Sequence, residues 1–127
     1  MTVELSYLAM YGALTMVLLL IQASLSALQN GISALAGNRD GLVSRGLAAR
    51  ADRMLNNSLV ALILVAPAIL IIAVTEQSTS TTELAVRLFL AARVAYAVIF
   101  LIGIPYARTA AWLVGFLAIA CLYCAVL

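Results

Sequence analysis

The sequence contains no lysine and no histidine, and only 9% of its 127 residues are charged. The missing histidine excludes His-based acid–base catalysis and His-ligated metals. All seven basic residues are arginine, and the net charge is +2. That charge is too small for a nucleic-acid binder, and no basic stripe meets an aromatic platform. There are two cysteines, Cys121 and Cys124, spaced i, i+3 in an apolar run. A redox-active pair needs an exposed, electropositive helix start, so these thiols are read as lipid- or core-facing.

What is abundant is apolar sequence: 66% of residues are hydrophobic, and the mean hydropathy is +1.17. A soluble domain has roughly 45–50% apolar and about 25% charged residues. The length allows one domain, 1–127. A membrane span needs about 20 apolar residues, so four spans use nearly the whole chain. No separate soluble catalytic domain fits, and any chemistry lies in or at the edge of the bilayer. The expected fold is all-α, an integral membrane four-helix bundle.

The expected spans are approximately 5–28, 54–75, 83–102 and 109–127. Residues 5–38 carry no charge, and the first apolar run is too long and lacks the basic start of a cleaved signal peptide. Gln29, Asn30 and Gly31 mark its end. The second span, entered by a helix from near Ser44, has Pro67 in its middle, a residue that usually kinks a helix but is tolerated in membranes. The hydrophilic stretch 76–82 reads as a loop, with Thr82 as N-cap and Glu83 in the first turn of the third helix. Gly103 and Pro105 end that helix. Arg39, Arg45, Arg50 and Arg53 lie between spans one and two, and Arg108 follows span three; the middle loop has Glu76 and Glu83 and no arginine. The arginine-bearing connections therefore belong in the cytoplasm, with both termini on the other side, as for a bacterial inner-membrane protein.

Two features exceed a generic bundle. Arg93 lies ten residues into the third span, where an arginine costs about 2.5–3.5 kcal/mol on the insertion scale. It must face the interior, against a backbone carbonyl or Asn side chain or against an anion, because no acidic residue lies at matching depth. Arg87 has Glu83 one turn earlier. The second feature is the entry to span two, where Arg50, Arg53 and Asn57 share one helix face. Arg93, Tyr96 and Phe100 repeat that spacing on span three. Interfacial positive-inside arginines are the plain alternative for the first cluster. Asp52 can neutralise only one of them, leaving an anionic ligand or lipid headgroups to balance the rest.

These residues carry a resemblance over the whole chain. Gly37-Asn38-Arg39-Asp40, the stretch formed by Arg50, Ala51, Arg53 and Asn57, Arg93 with Tyr96, Gly103-Ile104-Pro105, and Arg108-Thr109 before Trp112 appear in this order. The chain resembles bacterial members of the membrane-associated proteins in eicosanoid and glutathione metabolism, the MAPEG family. The resemblance implies a homotrimer with glutathione sites between subunits near the cytoplasmic side. Arg50, Arg53, Asn57 and Arg93 would hold glutathione as cofactor, and Arg108 and Tyr96 are the catalytic candidates. A thiolate stabilised there would attack or reduce a lipophilic electrophile.

The chain departs from the family at Val60, where a glutathione-binding Glu is usual, and at Phe100, where a Tyr often stands; the histidine of eukaryotic members has no counterpart. Valine accepts no hydrogen bond from the glutathione amine, and phenylalanine donates none to a thiolate. Each such loss is worth roughly 1.5–3 kcal/mol. Three functions follow: a glutathione-dependent transferase or peroxidase acting on lipophilic small molecules, a non-catalytic member that binds membrane lipids, and a small transporter with Arg93 as counter-ion. The last ranks lowest, because no repeats appear and no span beyond Pro67 is broken at mid-depth.

Overall fold

Thr2 starts the first helix by accepting the Leu5 amide on its side chain at 3.3 Å, which satisfies an otherwise orphan donor. That helix, α1 (Val3–Asn30), ends at Gly31, where φ is 84°. The computed structural model describes residues 1–127. A short helix, α2 (Ile32–Ala36), follows, and Arg39 closes it by donating Nε to the Leu35 carbonyl at 2.7 Å. Helix α3 (Gly46–Val74) continues through Pro67.

The third long helix, α4 (Ser80–Ile102), begins earlier than Thr82 and Glu83 suggested. Its N-cap is Thr79, not Thr82. Thr82 Oγ1 accepts the Thr79 amide at 2.9 Å, and Thr79 Oγ1 accepts the Thr82 amide at 3.2 Å. This reciprocal pairing satisfies two orphan donors and draws the end of the polar stretch into the helix. Gly103, left-handed with φ 92°, ends α4, as helices commonly end. Pro105 does not merely break the chain. It opens α5 (Pro105–Val126) at the first turn, where a missing N–H costs nothing, so α5 begins ahead of residue 109.

The four long helices alternate in direction, and each is long and apolar enough to cross a membrane. The shortest, α5, has 22 residues, or about 33 Å at 1.5 Å per residue, enough for a hydrocarbon core of about 30 Å. Large apolar side chains such as Leu20, Ile63 and Leu117 stay exposed on the outside of the bundle. In water that surface would be a liability; in lipid it is the expected exterior. The protein is an integral membrane protein.

Two apolar clusters fill the interior. One, toward the termini, includes Tyr11, Val65, Ile69, Ile72, Phe89 and Leu122. The other, toward the arginine-rich end, comprises Leu18, Met54, Leu55, Tyr96, Ala97 and Phe100. Polar side chains of Asn57, Ser58 and Arg93 lie between them. At the end bearing the termini, the buried carboxylate of Glu4 accepts hydrogen bonds on Oε1 from Thr82 Oγ1 at 2.5 Å and Ser78 Oγ at 2.7 Å. That contact ties α1 to the start of α4.

Candidate functional site

Arg93 is 2% exposed and sits at the middle of α4, as its position in the span required. Its Nε donates to Tyr11 Oη at 3.2 Å. Its Nη2 donates to Asn57 Oδ1 at 2.9 Å and to Ser58 Oγ at 3.3 Å. The guanidinium carbon lies 4.3 Å from the centre of the Tyr96 ring. Interhelical hydrogen bonds in membranes average about 0.6 kcal/mol, with a maximum near 1.7, and a desolvated cation–π contact adds about 2. Together they are comparable with the insertion cost of about 2.5–3.5 kcal/mol. Neutral groups on α1, α3 and α4 are therefore enough to hold this arginine in place.

The acceptors are themselves fixed. Tyr11 donates its hydroxyl to the Ser58 carbonyl at 2.8 Å, and Ser58 donates its own to the Met54 carbonyl at 2.8 Å. Both hydroxyl protons are committed, so both oxygens turn lone pairs toward the guanidinium. No carboxylate joins the group, and the charge of Arg93 is solvated but not cancelled. Nη1 makes no hydrogen bond.

Beside this group lies a cavity of about 150 Å³ between α3 and α5, with Arg93 and Asn57 as its charged and amide side chains. Val60, Trp112 and Phe116 form apolar wall and are each exposed on the outside of the bundle. Trp112 and Phe116 stack at 5.4 Å, 12° from parallel. Gly115 completes the side facing Arg93. The chamber thus combines one cation, one amide and an apolar rim that meets the bundle surface.

The other sequence candidates are distributed differently. Asn57 and Arg93 meet. Arg53 is exposed and does not join them, although it shares a helix face with Asn57. Arg50 lies against the end of α4, its guanidinium 3.8 Å from where a side chain on Gly103 would begin, and its buried Nε has no partner. Arg108 stacks over Phe100, 4.5 Å from the ring centre. Tyr96 contributes its ring face rather than its hydroxyl. Asp52 neutralises no arginine: it accepts from Gln22 Nε2 at 2.6 Å, a partner that removes it from the cluster. The ion pair that forms is the exposed Arg87–Glu83 contact at 3.5 Å.

Tyr11, Ser58 and Gly115 were not singled out by sequence. A hydroxyl or glycine in an apolar span has no spacing signature, and Tyr11 meets Arg93 across 82 positions. Val60 borders the cavity and Phe100 is buried under Arg108, and neither side chain has a polar atom to offer there. Cys121 is half-buried and Cys124 exposed, both as free thiols.

No curated protein and no solved structure matches the chain. The MAPEG family model matches residues 5–127, nearly the whole length, and with four membrane helices in this order the chain belongs to the MAPEG family.

Proposed function

We propose that this MAPEG member binds a lipophilic acid from the bilayer, its acid group at Arg93 and its apolar body along the rim made by Val60, Trp112 and Phe116. The observation that carries this reading is the uncancelled charge of Arg93 beside a largely apolar cavity. A tripeptide thiol needs partners for an ammonium and two carboxylates, and Val60 and Phe100 offer none. A lipid with a single acid group needs only a cation and an apolar surface. On this reading the protein is a binding member of its family rather than an enzyme.

Glutathione-dependent transfer or peroxide reduction is the second reading. It rests on Arg50, Arg53 and Arg108, which face no carboxylate at the arginine-rich end and suit a polyanionic ligand. Arg108 would then stabilise the thiolate. A thermal-shift titration in detergent with glutathione and with a fatty acid separates the two. Stabilisation by the fatty acid alone supports lipid binding; stabilisation by glutathione alone overturns it in favour of the enzyme.

The same reading places the arginine-rich end in the cytoplasm of a bacterial inner membrane, with both termini outside. It takes the assembly as a homotrimer, on the strength of family membership. Threefold species in native mass spectrometry test the assembly, and a ligand-saturated monomer would contradict it.

A further inference from the structure

Gly115 stands apart from the other glycines. A Cβ built on it would lie 3.3 Å from Cδ of Arg93 and 3.9 Å from Cβ of Ala92, whereas at the other six glycines nothing lies closer than 3.7 Å. Glycine weakens a helix interior, and here its missing side chain is what lets the arginine stem pass between α4 and α5. Cδ is one bond from Nε, which reaches Tyr11 at 3.2 Å, already the long end of the usual hydrogen-bond range. On its other flank the guanidinium rests over Tyr96. A shift of Cδ therefore carries the Tyr11 bond and the Tyr96 contact with it.

We infer that Gly115 is a positioning residue for Arg93: by lacking a side chain it sets the arginine's reach into the cavity, and so the preference for a charged over a neutral ligand. The inference rests on the lipid-acid reading for its ligand but not for its geometry. A methyl group at this position displaces Cδ by a few tenths of an ångström, loosens the bonds to Tyr11, Asn57 and Ser58, and shifts the guanidinium relative to the chamber it lines. It adds little bulk to the rim itself, where Trp112 and Phe116 remain. The expected signature is therefore loss of charge selection without loss of apolar binding.

Trp112 lines the cavity and is the one tryptophan in the chain, so its fluorescence reports occupancy directly. The probes are a bromine-labelled fatty acid and the matching bromine-labelled alcohol, which quench it on binding. In Gly115→Ala, acid affinity should fall at least tenfold toward that of the alcohol while alcohol affinity stays unchanged. Equal loss of both would mean simple filling of the cavity, and no loss of either would mean that Arg93 is placed without Gly115; each result overturns the inference. A second measurement needs no ligand. Gly115→Ala should lower the thermal unfolding midpoint in the native background and not in Arg93→Met, where the flexible, uncharged stem can give way. Additive effects in that cycle overturn the inference. If neither probe quenches the native protein, the lipid-acid reading fails, and the cycle alone decides the role of Gly115.

Discussion

The Tyr11 hydroxyl accepts from Arg93 Nε at 3.2 Å while donating to the Ser58 carbonyl at 2.8 Å. One phenol on α1 thereby joins the charged group of α4 to the backbone of α3. Removing it leaves Nε buried without a partner, a loss of about 1–3 kcal/mol. Tyr11→Phe should lower the thermal unfolding midpoint in detergent, and adding Arg93→Met should recover part of the loss. A Tyr11→Phe protein as stable as the native one would mean that the network contributes nothing to the fold.

The opposite end of the bundle depends on Thr82. Its hydroxyl accepts the Thr79 amide and donates to buried Glu4, so Thr82→Val removes the returning half of the capping box and a carboxylate donor together, while Thr79 still caps the Thr82 amide. An ordinary hydrogen bond is worth about 0.5–1.5 kcal/mol net, and one to a charged group about 1.5–3. Thr82→Val should destabilise by more than 1 kcal/mol, while Thr82→Ser, which keeps the hydroxyl, should lose much less. Hydrogen exchange at the first turn of α4 would rise only in the valine variant. Equal stability of the two variants would contradict the assignment.

Val60 separates the two functional readings. It lines the cavity with Arg93, so the carboxylate of Val60→Glu can pair with the arginine and compete with an acid ligand. Fatty-acid binding measured by Trp112 quenching should drop at least tenfold. If instead Val60→Glu together with Phe100→Tyr gains glutathione affinity and leaves fatty-acid binding intact, the cavity is not the acid site and the glutathione reading is favoured.

Orientation has its own test. A reporter active only in the cytoplasm should remain silent when fused after Leu127. Strong activity there would place the arginine-rich end on the non-cytoplasmic side and contradict the proposed orientation.

The helices were legible because apolar runs of this length have no soluble use, and because glycine and proline mark their ends. The meeting of Arg93 with Asn57 was legible too, since an intramembrane arginine requires a polar partner. The start of α4 was misread because Thr82 is a fair N-cap by type, and only the Thr79–Thr82 pairing decides between them. The resemblance groups Arg53 with Asn57 and Arg93 around one ligand, and Arg53 shares a helix face with Asn57, yet it does not join them. Sharing a face fixes direction around the axis but not depth, and Arg53 lies one turn nearer the exposed end than Asn57. Asp52 was expected against an arginine, but its partner Gln22 comes from α1, 30 positions away. No local spacing encodes that choice.

On the lipid-acid reading, Arg93 supplies the charge that selects an acid ligand in the cavity between α3 and α5. The most direct measurement is a titration of native protein and Arg93→Leu with the bromine-labelled acid and alcohol, read by Trp112 quenching. The native protein should prefer the acid at least tenfold, and Arg93→Leu should bind both probes alike, with a helical circular-dichroism spectrum unchanged from the native one. Undiminished preference for the acid in a folded Arg93→Leu protein would contradict that reading.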